Sequence, residues 1–256
     1  SCVIFPPVPL DFVKKLKTAA GVTVNDIIMT TVSQAIHDYC ESQDCPVLMS
    51  SKNSNNSSNN NNNKSKSPIR CRALIPLALP RSPNELNDKS LALRNTWCLV
   101  STDMGVGCDD IVERLAFIHS KMNDIKTTPR AFVQLWIQNN LPPLLPLSVA
   151  QQTVYDVFSR HSLVLTNVPG PDRPCLIAGK VAVAVQMFLS NLLPQISFMS
   201  YAGQIMGNMV MDPDALPESN LLAEFYAAAL VQLAERLDVP APLELVAFVK
   251  SKTRHD

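Results

Sequence analysis

The sequence predicts an α/β sandwich built on a mixed sheet, and three observations carry that expectation. Apolar residues recur at three- and four-residue spacing over stretches long enough for helices. Short runs rich in β-formers lie between and after them, so strands and helices interleave. Ala202-Gly203 separates two such runs as a tight hairpin would, which places an antiparallel pair in the sheet. With 256 residues, 46% of them hydrophobic, the chain has enough apolar surface for a substantial core.

Taken in order, the first helix is expected over Asp11 to Ala20, with Phe12, Val13, Leu16 and Ala19 on one side and Gly21 as its stop. The second begins at Thr23. Val24, Ile27, Ile28, Thr31, Val32, Ala35, Ile36 and Tyr39 give it a wide stripe for burial. Thr23 precedes Asp26 by three residues, the spacing of a capping box, and a cap of this kind stabilises by about 1 kcal/mol. From Ser50 to Ser67 the composition collapses to Asn, Ser and Lys, with five consecutive asparagines. That tract has nothing to bury and is expected to be a disordered surface insertion.

Arg70 to Ile75 alternates as a strand, with Pro76, Pro80 and Pro83 expected to end it, and Thr96 to Ser101 reads as a second strand. Asp109 to Lys126 is expected to be helical on Ile111, Leu115, Ile118, Met122 and Ile125; its acidic start and lysine end suit the helix dipole. Two further helices, Arg130 to Asn140 and Leu147 to Ser159, flank a proline-rich link. Strands are expected over Ser162 to Thr166, Cys175 to Met187, Gln195 to Tyr201 and Gln204 to Met211. A closing helix, Pro217 to Leu237, presents Leu222, Phe225, Ala229, Leu233 and Leu237 inward. No internal repeat is visible, and residues 1–256 are read as one domain.

Composition excludes several classes. Net charge is zero, from 22 basic and 22 acidic residues without a long basic run, which argues against a nucleic-acid partner. Twenty prolines against seven glycines stiffen the turns. The seven cysteines are odd in number and contain no Cys-x-x-Cys, so they read as reduced thiols rather than a disulfide framework or a zinc site. The chain opens on Ser1 without a signal-peptide pattern and reads as a piece of a longer protein. No apolar run reaches the roughly 18–20 residues of a membrane span. The nearest approach, Ala131 to Ala150, is broken by Gln134, Gln138, Asn139, Asn140 and prolines; its Phe132 to Val149 portion suits a lipid surface or the face of a partner.

The four histidines, His37, His119, His161 and His255, form no metal-binding spacing, and His37 and His119 read as structural residues at helix flanks. A Gly-x-Ser-x-Gly elbow, a Walker loop and a Gly-x-Gly-x-x-Gly fingerprint are all missing from the sequence, so a self-contained hydrolase or metalloenzyme is not expected. Four local patterns remain. Gly21-Val22-Thr23-Val24-Asn25-Asp26 opens the most apolar helix. Ile75-Pro76-Leu77-Ala78-Leu79-Pro80-Arg81 leads a strand into prolines and an arginine suited to a phosphate or simply to solvent. Thr166-Asn167-Val168-Pro169-Gly170-Pro171 carries a strand into a Pro-Gly turn. Ser200-Tyr201, Gly203, Gly207 and Asp212 form a hairpin with close-packed glycines and a terminal acid.

In this order the four patterns resemble the C-terminal domain of the wax ester synthase/diacylglycerol acyltransferase family, from about Pro9 to Leu237. The resemblance implies one half of a chloramphenicol-acetyltransferase-like fold, a two-layer α/β sandwich with the active site in a tunnel between two such halves. It implies an O-acyltransferase that uses acyl-CoA as co-substrate, needs no cofactor, and esterifies a fatty alcohol or diacylglycerol. In that family a His-His-x-x-x-Asp-Gly motif in the N-terminal half supplies the base; these 256 residues contain no such motif. The N-terminal half, acyl-CoA and a membrane or lipid-droplet surface are therefore the implied partners, with a peripheral position on the cytoplasmic face of the endoplasmic reticulum, plasma membrane or lipid droplet. The residues carried over as lining or shaping the tunnel, or binding CoA, are Asn25, Asp26, Arg81, Thr166, Asn167, Gly170, Tyr201 and Gly203. The family's Gly-Asn before the strand at Thr96 is replaced here by Arg94-Asn95. A non-catalytic lipid- or CoA-binding module is the alternative reading.

Overall fold

The computed structural model describes residues 1–46, 70–79, 84, 87, 88, 90, 96–141 and 144–252. The Asn/Ser tract, Arg81, Pro80, Pro83, Arg94, Asn95 and His255 fall outside the described residues.

Strands β1 (Cys2–Ile4) and β2 (Val8–Pro9) precede helices α1 (Leu10–Ala20) and α2 (Val24–Ser42). Then come β3 (Arg72–Ala78), β4 (Trp97–Asp103), and helices α3 (Ile111–Thr127), α4 (Arg130–Asn140) and α5 (Leu147–Ser159). The chain continues through β5 (Leu163–Val168), a short hairpin of β6 (Leu176–Ile177) and β7 (Lys180–Val181), a second hairpin of β8 (Gln195–Tyr201) and β9 (Gln204–Val210), and closes with α6 (Leu221–Arg236) and α7 (Leu243–Lys252).

One seven-stranded sheet runs in the order β1-β9-β8-β5-β3-β4, with β2 also paired to β9. The central strand β5 is parallel to both β3 and β8, whereas β3–β4, β8–β9, β1–β9 and β2–β9 are antiparallel. The sheet is therefore mixed, as expected. Helices α2, α3 and α6 pack on one another, and their apolar residues merge with those of the strands into a single core. Within it Phe5, Phe198 and Tyr226 form an aromatic cluster, with the Phe5 and Tyr226 rings stacked at 5.0 Å. Gly207 faces that cluster, and a Cβ there would meet the Phe198 ring at 2.5 Å.

The helix ends follow local chemistry. At α2 the Thr23 hydroxyl accepts from Asp26 N and Asp26 Oδ2 accepts from Thr23 N, completing the capping box. Asp110 Oδ1 accepts from the amides of Val112 and Glu113 and starts α3. Gly21, at φ 67°, ends α1.

Three expectations need correcting. Pro76 does not end β3; it sits inside it, opposite Leu99 of β4. The pairing of β3 with β5 covers only Ala73 and Leu74, so past that point β3 is an edge, where a proline is tolerated. Cys175 to Met187 is not one strand but the β6–β7 hairpin followed by irregular chain. Ala178 and Gly179 both adopt positive φ and fold it back, and Val181 and Val183 stay exposed with no face to cover. The short strands β1 and β2, and helix α7, were not expected at all.

Helices α4 and α5 are amphipathic, and although α4 packs against β4, most of their apolar side chains stay exposed. In α4 only Ala131 is buried and in α5 no residue is. Phe132, Trp136, Leu144, Leu147 and Tyr155 are each more than half exposed. Among the described residues no helix is long and apolar enough to cross a membrane.

Candidate functional site

The parallel strand β5 ends at Val168, and the N-terminus of α2 lies beside that end. The link is direct: Asn167 Nδ2 donates to Asn25 Oδ1 at 2.7 Å. Two residues singled out from separate sequence patterns are thus brought together. Each retains a second polar atom, Asn25 Nδ2 as donor and Asn167 Oδ1 as acceptor. Thr166, one residue earlier in β5, is buried.

Asp26 adjoins this pair and is fully buried. Its Oδ2 accepts from Thr23 N and also lies 2.9 Å from Nδ1 of His119, in the middle of α3. The other oxygen, Oδ1, has no partner among the described residues. With Asp26 as a carboxylate, which only accepts, the donor in this contact is Nδ1–H of His119. The imidazole is thereby fixed in orientation, and its side chain is 43% exposed. The result is a buried carboxylate, next to Asn25 in the chain, that orients a half-exposed imidazole. His119 was read from the sequence as structural, and its meaning depends on a partner 93 residues away.

The turn after β5 packs onto the β8–β9 hairpin. Gly170 N donates to Ser200 Oγ at 3.0 Å, and a Cβ on Gly170 would fall 2.2 Å from the Ser200 carbonyl oxygen. Only glycine fits that approach. Tyr201 is buried, and its hydroxyl accepts from Cys175 N and donates to the Ala182 carbonyl, so it ties down the β6–β7 excursion. Gly203, at φ 80°, occupies the hairpin turn with open space around it. Asn25, Asp26, Thr166, Asn167 and Gly170 therefore lie at the sheet end, Tyr201 and Gly203 act at the adjoining hairpin, and Arg81 lies outside the described residues.

Elsewhere, His37, Asp38 and Glu41 on α2 form a group of metal-capable side chains among the described residues. Their contacts are internal: His37 Nδ1 lies 2.8 Å from Val106 O, and Gln34 Nε2 donates to Asp38 at 2.7 Å. Burial is the main cause that raises the Asp38 carboxyl above its ordinary range, partly offset by the Gln34 hydrogen bond. A groove of about 390 Å³ runs between β4 and the α3–α4 junction, lined by Leu99, Ser101, Ile125, Arg130 and Val133 among others. None of the site residues lines it.

Among solved structures the fold is similar to wax ester synthase/diacylglycerol acyltransferase from Marinobacter aquaeolei, with a TM-score of 0.62 at 17% identity over 93% of this chain and 49% of that one. It is also similar to the epimerization domain from the third module of tyrocidine synthetase B (TM-score 0.54, 11% identity, 93% of this chain and 48% of that one). Trichothecene 15-O-acetyltransferase from Fusarium sporotrichioides matches with a TM-score of 0.50 at 11% identity, over 93% of this chain and 46% of that one. These likenesses establish the fold, that of one half of a CoA-dependent acyltransferase or condensation-type enzyme, and the chain spans about half the length of each. No sequence among the curated proteins matches it. The model of the WS/DGAT C-terminal domain matches residues 94–234, more than half of the chain, and the chain belongs to that family.

Proposed function

We propose that this chain is the C-terminal half of an acyl-CoA-dependent O-acyltransferase that forms wax esters or triacylglycerol from fatty alcohol or diacylglycerol. Membership of an acyltransferase family supports the reaction class. The observation that carries the site is the Asn25–Asn167 bridge, which joins a helix N-terminus to the C-terminal end of a central parallel strand. In open α/β sheets that end is where ligands gather.

In this reading the preceding half supplies the catalytic base. It removes the proton from the acceptor hydroxyl, the oxygen attacks the acyl thioester carbonyl, the C–S bond breaks, and the CoA sulfur leaves and takes up a proton. General-base help of this kind is worth roughly 100- to 10,000-fold. This chain supplies one tunnel wall, with Asn25 and Asn167 offering a donor and an acceptor beside the buried Asp26. The exposed apolar side chains of α4 and α5 suit contact with the other half or with a lipid surface, where water-insoluble substrates reside.

The test is an acyl-transfer assay with labelled palmitoyl-CoA, offering hexadecanol and diacylglycerol, on this chain and on the full-length gene product. Ester formation by the full-length protein alone is the expected result, and the preferred acceptor names the product. Ester synthesis by this chain by itself would overturn the half-enzyme reading. An inactive full-length product that still binds CoA or lipid would favour the binding module instead.

A further inference from the structure

Helix α2 ends in a Schellman turn. Asp44 takes a left-handed backbone at φ 47°, Cys45 N donates to Cys40 O at 2.9 Å, and Asp44 N donates to Glu41 O at 3.1 Å. This turn brings the side chains at the two ends of its longer hydrogen bond onto one face, where two apolar residues usually meet. Here both are cysteines. They are half-buried and free. The 2.9 Å N–O distance and fixed backbone geometry cap their Cα separation at about 6.8 Å. A disulfide spans roughly 4.4–6.8 Å between Cα atoms.

We propose that Cys40 and Cys45 form a reversible disulfide, a redox-responsive clasp at the end of α2. With hydrogen peroxide as oxidant, the Cys45 thiolate attacks one oxygen, the O–O bond breaks, and Cys45 becomes a sulfenic acid as the first water leaves. The Cys40 sulfur then attacks the Cys45 sulfur. The S–S bond forms, the S–O bond breaks, and hydroxide leaves with the Cys40 proton as the second water. Two thiols lose two electrons and one peroxide becomes two waters.

Cys40 takes the second role because burial holds it protonated, its pKa pushed up to about 11. Burial pushes the Cys71 thiol up to about 11 as well. The same end of α2 is tied to the turn before α6 by Tyr39 Oη donating to Pro217 O at 2.5 Å and Gln43 Nε2 donating to Glu218 Oε2 at 3.2 Å. Oxidation would therefore lock a helix end that already anchors α6.

The experiment treats the folded full chain with graded hydrogen peroxide, removes the peroxide, blocks remaining thiols with N-ethylmaleimide in denaturant, and analyses tryptic peptides by mass spectrometry. The peptide Thr18 to Lys52 contains Cys40 and Cys45 and no other cysteine. It is expected to lose the mass of two hydrogens and take up no maleimide, at peroxide levels that leave Cys98 alkylatable, and dithiothreitol is expected to reverse the change. In Cys40→Ser, dimedone is expected to label Cys45 as the trapped sulfenic acid. Maleimide on both cysteines after peroxide treatment, or a bond from Cys45 to Cys71, overturns the proposal.

Discussion

The buried carboxylate of Asp26 lies 2.9 Å from Nδ1 of His119, joining the first turn of α2 to the middle of α3. One oxygen of Asp26 serves both this contact and the helix cap, so its loss removes two hydrogen bonds at once. Hydrogen bonds to charged groups contribute about 1.5–3 kcal/mol, and a lost cap costs about 1 kcal/mol. Asp26→Ala is expected to lower stability by about 2–3 kcal/mol in urea unfolding, and His119→Ala, at a half-exposed site, by about 1 kcal/mol. The double variant should cost less than the two singles together. Strict additivity in that cycle would mean the contact contributes nothing.

How far this arrangement was legible in the sequence differs between its two residues. Thr23 and Asp26 are three apart, and a capping box is a local rule, so the start of α2 was readable. Asn25 and Asn167 each stood in a recognisable pattern, yet only the fold pairs them. His119 had no local signal, because its partner comes from another helix. The same division runs through the strands. The β8–β9 hairpin is legible from Ala202-Gly203, whereas Ala178-Gly179, the same dipeptide, is hidden inside an alternating run. Alternation there predicts a half-buried strand only if a face exists to cover it, and Val183 is 90% exposed. Strands β1 and β2, of three and two residues, are too short to show any period.

The Asn25–Asn167 bridge separates stability from activity. It lies at the surface, and a neutral hydrogen bond there contributes about 1 kcal/mol or less. Asn167→Ala is expected to leave the unfolding midpoint of the full-length protein nearly unchanged while lowering kcat/KM for acyl transfer by about tenfold or more, the loss of roughly 1.4 kcal/mol of transition-state stabilisation. Unchanged kcat/KM would remove the bridge from the tunnel.

Asp110 gives a pH signature. The Arg236 guanidinium, 2.5 Å from its carboxylate, and the backbone amide of Glu113 hold its pKa below the ordinary value of 3.8. A carboxylate depressed on folding binds its proton more readily when unfolded, so its stabilisation is present above the unfolded pKa and lost as pH falls through the folded one. Asp110→Asn keeps a capping oxygen and removes the charge. The variant is expected to be less stable than the parent at neutral pH, with the gap closing below about pH 4. A gap that persists at pH 2 would assign the effect to packing rather than charge.

Helix α5 gives the sharpest test of what the apolar faces are for. Its thirteen residues bury no side chain, and isolated helices shorter than roughly 12–15 residues are marginal in water. Helix α2, by contrast, is capped at its start and buried along most of its length. Amide hydrogens of Leu147–Ser159 are therefore expected to exchange within seconds in this chain alone, while those of Ile27–Ala35 persist close to the limit set by global unfolding. If the exposed face of α4 and α5 is a seat for the preceding half, joining that half slows exchange in α5 without lipid present. If it is a seat for lipid, protection appears only on adding vesicles, and Trp136→Gln abolishes it.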